Sequence, residues 1–158
     1  MQTRLKLHLV KVSLFTLGAM VSTSAVLAQA GDAKAIEARQ ANFKEIDKHW
    51  KPVTEMLKRK IPYDAAQVQQ AATAIEPLAK KIPETFVPDT RQVTGVKTKA
   101  RENIWSNQPD FKAKSEELVK ALNGLAAAAK TGDEKAFRPA VMAVGKACSA
   151  CHDNYKDS

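Results

Sequence analysis

Apolar residues return every three or four positions along four separate stretches of the chain. The first stretch carries Ile36, Phe43, Ile46, Trp50, Val53 and Leu57, with Arg39 holding a place in the same stripe. The second carries Ala65, Val68, Ala72, Ile75 and Ala79, and the third Phe111, Ser115, Leu118, Leu122, Leu125 and Ala129. The fourth carries Phe137, Val141, Val144, Cys148, Cys151 and Tyr155, with Ala140 on the same side. That spacing places each set on one face of an α-helix. Four helices with one apolar face each hide those faces against one another, so the pattern predicts an all-α fold, an antiparallel four-helix bundle.

The punctuation between stripes agrees. Pro62 and Asp64 end the first helix and cap the second, and Thr131-Gly132-Asp133 supplies a C-terminal glycine followed by an N-cap aspartate. Connections this short force neighbouring helices to run antiparallel. Residues 83–102, with Pro83, Pro88 and Gly95, instead form one long crossover loop, too long to be idle in a compact domain and expected to cover something. Pro139 falls early enough in its helix to be tolerated, whereas Pro52 predicts a bend in the first helix.

The first thirty residues read differently. Arg4, Lys6 and Lys11 precede the apolar run VSLFTLGAMVS, and small residues end it at Ala28-Gln29-Ala30. This is the layout of a secretory signal peptide cleaved after Ala30, and its apolar run is too short to span about 30 Å of hydrocarbon. The expected mature domain is therefore 31–158, exported to the periplasm and not held in a membrane. Losing three cations and no acid lowers the formal net charge from +8 to +5. The remaining lysines and arginines are spread over helical faces without interleaved aromatics, which argues against a nucleic-acid partner. A mildly basic surface is instead suited to steering an acidic redox partner protein.

Both cysteines of the chain fall in GKACSACHDNYKDS, the last fourteen residues. Cys148 and Cys151 share a helical face, and His152 follows directly, one turn from Cys148. A disulfide between i and i+3 closes too small a loop to stabilise much. Zinc lacks further cysteines to complete its ligands, leaving only His49 or a carboxylate. A thioredoxin-like pair belongs at the start of a helix in an α/β fold. C-x-x-C-H is the attachment signature of haem c: two thiols bond two vinyl groups covalently, and the imidazole becomes the proximal iron ligand. Arg39 points to the same cofactor, because a charge in an apolar stripe is costly unless paired. A haem propionate would pair it, as would a carboxylate such as Glu37 or Asp153, unless the side chain snorkels out to solvent.

With a haem motif at the C-terminus of a four-helix bundle, the chain resembles the class II cytochromes c, and most closely the cytochrome c prime family. The resemblance spans Ala33 to Lys156 and rests on ARQANF at 38–43, PYDAAQ at 62–67, IWSN at 104–107, TGD at 131–133 and CSACHDNYK at 148–156. It implies a periplasmic haem protein, commonly a homodimer. It also implies that Cys148 and Cys151 hold the haem, that His152 ligates the metal, that Arg39 and Gln40 lie against the propionates, and that Phe43 stands over the far face of the iron. Thr98 and Lys99 fall where the family's long loop passes the haem edge. Lys156 stands where many relatives have arginine, keeping the cation without the forked geometry.

The low-spin branch of this family closes the sixth iron position with a methionine where this chain has Phe43. Met56 lies thirteen residues further along, about 20 Å at 1.5 Å per residue. Met142 shares a helix with His152, Lys44 is off the stripe, and His49 is nearly two turns from Phe43. The expectation is a five-coordinate, high-spin haem that binds nitric oxide and carbon monoxide when Phe43 moves, transfers single electrons, or both. The alternative is a low-spin cytochrome that only carries electrons. No distal histidine or carboxylate pair is placed for acid–base work, so an enzyme is not expected. Trp105 and Tyr155 are read as structural anchors of the third and fourth helices.

Overall fold

The computed structural model describes the backbone of residues 23–158 and the side chains from Asp32 onward. The signal-peptide reading of residues 1–30 falls outside the residues whose side chains are described. In chain order the helices are α1 (Thr23–Leu57), α2 (Ala65–Lys80), the single turns α3 (Ile82–Thr85) and α4 (Asn103–Ser106), α5 (Gln108–Lys130) and α6 (Glu134–Tyr155). The four long ones form the bundle. Among the described residues no helix is long and apolar enough to cross a membrane.

Local chemistry sets the ends as expected. Asp64 Oδ1 accepts the Gln67 amide at 3.0 Å and Asp133 Oδ1 the Lys135 amide at 2.8 Å, each meeting a donor that has no partner inside its own helix. Gly132 turns the chain between α5 and α6 with φ +70°, a conformation that costs glycine little. Helix α1 continues through Pro52 to Leu57, and α2 tolerates Pro77 near its end.

The third stripe is buried at all six of its positions, from Phe111 to Ala129. Its polar member has a reason: the Ser115 hydroxyl donates to the Ala79 carbonyl at 2.8 Å, near the end of α2 where helical carbonyls run out of partners. In the second stripe Ala71 joins the core and Ala65 is only half-buried. The first stripe divides. Ile36 and Val53 are buried, as is Met56 from outside it, while Ile46, Trp50 and Leu57 are half-buried and Phe43 is 36% exposed.

The helix contacts explain that division. Helices α1 and α2, α2 and α5, and α5 and α6 pack along one another, but α1 and α6 touch only sparingly. The bundle is thus open along one seam, and residues facing that seam keep some of their surface. Cys148 and Cys151 are half-buried for the same reason, whereas Phe137, Val141 and Val144 of the same stripe are covered.

The residues of the closed side carry the stability. Leu125, 0% exposed, is expected to cost about 2–5 kcal/mol when replaced by alanine, through lost apolar burial and the cavity left behind. Urea unfolding of Leu125→Ala checks this.

Candidate functional site

The open seam is a cleft of about 940 Å³, at the upper end of the roughly 300–1,000 Å³ usual for cofactor pockets. Helix α1 forms one wall with Phe43, Ile46 and Trp50. Helix α6 forms the other with Val144, Cys148, Cys151 and His152, and Leu118 and Leu122 of α5 form the floor. The segment Lys97–Ala100 lies along the rim. All eight residues singled out from the sequence, Arg39, Gln40, Phe43, Thr98, Lys99, Cys148, Cys151 and His152, line this one cleft.

The two cysteines are not bridged to each other. Burial pushes Cys148 above the ordinary thiol range, and burial, followed by the neighbouring Cys148, pushes Cys151 up to about 11. Before any bond to a cofactor forms, both would therefore hold their protons, the form suited to a buried apolar wall. His152 moves the other way: desolvation first, then the Lys156 cation, lower its pKa, with Asp153 opposing. Its imidazole is thereby biased toward the neutral form, which has a nitrogen lone pair to offer a metal. Among the described residues no group of three or more His, Cys, Asp or Glu side chains is gathered as a metal ion held by protein alone would require. An apolar cleft, two adjacent thiols and one imidazole instead fit a flat apolar cofactor that brings most of its own ligands.

Arg39 is 2% exposed, and it is paired with neither Glu37 nor Asp153. Its Nε and Nη2 donate to the Thr85 carbonyl at 3.3 and 3.0 Å, and its Nη1 donates to Thr90 Oγ1 at 3.0 Å. The guanidinium also lies over the Phe86 ring, 4.0 Å from its centroid. These contacts offset part of the burial cost, while desolvation still lowers its pKa. Three of five N–H groups are used, leaving two for another acceptor at the cleft Arg39 lines.

The long loop is sewn to both walls. Gln40 Nε2 donates to the Lys97 carbonyl at 2.7 Å. The Arg101 amide donates to the Tyr155 carbonyl at 3.1 Å and the Asp157 amide to the Lys99 carbonyl at 2.9 Å, around an antiparallel bridge between Ala100 and Lys156. Arg101 Nη1 adds a bond to the Asp153 carbonyl at 2.8 Å. Residues 97–101 are therefore held beside the last turn of α6, which brings Thr98 and Lys99 to the rim. The loop also receives the Trp105 indole N–H on the Pro88 carbonyl at 3.0 Å. Two aromatic residues of the cleft, Phe86 and Phe111, had no site signal in the sequence. Phe111 reads there as core, and Phe86 belongs to no stripe.

Tyr155 closes the base of the cleft. Its hydroxyl donates to Asp110 Oδ2 at 2.5 Å and its ring meets Phe111 edge-on at 5.2 Å.

A family profile described as Cytochrome C' matches residues 34–156. The cytochrome c' of Rubrivivax gelatinosus is 36% identical over 123 residues, covering 78% of this chain and 94% of that protein. The structure of cytochrome c prime from Shewanella frigidimarina superposes with a TM-score of 0.73 at 35% identity, covering 80% of this chain and 97% of that one. A ferrous variant of cytochrome c prime from Alcaligenes xylosoxidans with bound nitric oxide has a TM-score of 0.68 at 33% identity, covering 78% and 94%. The chain belongs to the cytochrome c' family and is a haem protein of that family, which implies covalently bound haem c.

The Tyr155–Asp110 bond generates a pH signature. Burial, then the hydrogen bond to Asp110, raise the tyrosine pKa from 10.0 to about 12. A hydroxyl that holds its proton more tightly when folded contributes stability below pH 10 that is lost as pH rises toward 12. Tyr155→Phe is expected to cost about 1.5 kcal/mol at pH 7, the low end for a bond to a charged acceptor. The difference from the parent should shrink between pH 9 and 12 in urea titrations.

Proposed function

We propose that the mature chain, residues 31–158, is a periplasmic cytochrome that carries one haem bonded through Cys148 and Cys151, with His152 as its only protein ligand to iron. Haem supplies, when bound, an iron that changes between two oxidation states and can accept one further small ligand. Phe43 guards the approach from the α1 wall, and the uptake of small diatomic gases, nitric oxide foremost and carbon monoxide less readily, is the function the geometry supports best.

One observation carries this reading. Among the residues lining the cleft there is no methionine, and no histidine other than His152. Met56 is packed in the core on the closed side, and Met142 is 58% exposed on the outer face of α6. The position on α1 that faces the cleft holds Phe43, a side chain with bulk and no donor atom. One carboxylate, Asp47, reaches the cleft one turn beyond Phe43, with no histidine beside it to form an acid–base pair. The apolar α1 wall disfavours charged and bulky ligands, which would lose hydration without gaining a partner. The nitric oxide bound in the Alcaligenes relative supports the same reading.

The remaining assignments join the proposal. The two spare N–H groups of Arg39, with Gln40, receive the carboxylates of the cofactor, and Thr98 and Lys99 flank its edge. Residues 1–30 direct export, and the mature chain pairs with a second copy.

A second reading, single-electron transfer to a docking protein, is favoured by a different observation. Lys97, Lys99, Lys114 and Lys156 all border the cleft, against one acid, Asp47. A ring of cations around the place where a cofactor edge would emerge steers an acidic partner to the distance electrons need.

Electron paramagnetic resonance of the ferric protein and the optical spectrum of the reduced form test the first reading. High-spin ferric signals and a broad reduced Soret band are expected. Low-spin six-coordination in both oxidation states would sink it and leave the electron carrier alone. Phe43→Ala is expected to tighten carbon monoxide binding about tenfold, equivalent to about 1.4 kcal/mol, measured by titration of the reduced protein.

A further inference from the structure

Phe86 follows α3, outside every periodic stripe, yet it is only 4% exposed. The Arg39 guanidinium covers its ring at 4.0 Å, Phe111 of α5 meets it edge-on at 4.8 Å, and Trp105 of α4 lies at 6.2 Å. Its remaining aromatic neighbour is Phe43, edge-on at 6.5 Å. Arg39, Phe43 and Phe86 all line the cleft.

Arg39 does more than cover this ring. Its hydrogen bonds go to the carbonyl of Thr85 and the hydroxyl of Thr90, one on each side of Phe86 in sequence. The segment is thus pinned at two points by the same guanidinium that stacks on the ring between them. Arg39 and Phe43 stand four residues apart on α1 and so share a face. The immobilised ring therefore lies against the arginine that clamps it and the phenylalanine that guards the cleft.

We propose that Phe86 is the backstop of the Phe43 gate: clamped by Arg39, it sets how far the Phe43 ring can turn aside, and thereby how fast a small gas reaches the face of the cleft that Phe43 covers. The inference rests on the gas-binding reading above. Phe43 lines the cleft on one side, and its room to turn aside is set by what stands on the other, where Phe86 is its one ring contact among the described residues. A ring packed between a doubly anchored cation and two further aromatics cannot give way without opening a void in a close-packed region. Phe86 and Arg39 are positioning residues here, acting through Phe43 and not on the gas itself.

Carbon monoxide association with the reduced holoprotein, measured by flash photolysis in Phe43→Ala, Phe86→Leu and the double variant, tests the proposal together with a crystal structure of Phe86→Leu. The expected result is association about tenfold faster in Phe86→Leu, a factor corresponding to about 1.4 kcal/mol, with Phe43 in a second rotamer. In the Phe43→Ala background Phe86→Leu should add nothing, because no ring remains to be held. Unchanged association or an unmoved Phe43 ring in Phe86→Leu, while Phe43→Ala binds faster, overturns the backstop and leaves the gate standing. Equal acceleration in both backgrounds also overturns it, since Phe86 would then act without Phe43. No effect of Phe43→Ala removes the gate reading and the backstop with it. If Phe86→Leu does not fold, Thr90→Val, which deletes one anchor of Arg39 and nearly keeps the side-chain shape, should still accelerate association, and an unchanged rate there overturns the proposal.

Discussion

Everything in this molecule follows from a bundle that closes on three sides and not on the fourth. Helices α1 and α6 each carry an apolar face, yet they scarcely meet. Apolar surface left facing water is unfavourable by roughly 25 cal/mol per Å², so such a seam persists in a stable protein only when something else covers it. The wall formed by α6 offers two cysteines and an imidazole, and the opposite wall sets Phe43, Ile46 and Trp50 beside the polar Arg39, Gln40 and Asp47. A haem of the kind the family implies would be held there by covalent attachment and hydrophobic burial together.

Arg39 shows how the loop and the cleft depend on each other. A guanidinium this buried requires partners, and the structure supplies them from the segment 85–90 and not from a carboxylate. The arginine thus organises the start of the crossover segment, while Gln40, its neighbour in sequence, holds the far part of that segment through Lys97. The C-terminal residues complete the arrangement by pairing Ala100 with Lys156. A long connection that would be costly to order by itself is ordered because each end is tied to a wall of the cleft.

The two proposed activities fall to different residues. On the proposed electron-transfer reading, the lysines beside the cleft act on partners that stay outside, where long-range attraction acts. On the proposed gas-binding reading, the aromatic residues on α1 and after α3 act on ligands small enough to enter, where packing decides. Changes in one set need not disturb the other, because Lys97, Lys99 and Lys156 are exposed whereas Arg39 and Phe86 are buried.

Much was legible in the sequence because it depends on short-range rules. Helical periodicity identified the four long helices, Asp64 and Asp133 marked the starts of two of them, and the spacing of Cys148, Cys151 and His152 pointed to a chemistry within five consecutive residues. Arg39 was suspect for its place in an apolar stripe, but the partners it finds within the protein, Thr85 and Thr90, lie some fifty residues away and follow no period. Phe86 carried no signal at all, since its burial is created by groups from α1, α4 and α5 that converge only after folding. The stripe of α1 could not reveal that Phe43, Ile46 and Trp50 face a cleft while Ile36 and Val53 face the core. Periodicity reports that a face is buried. Which surface buries it is settled by how the helices splay, a property of the whole assembly and not of any one segment.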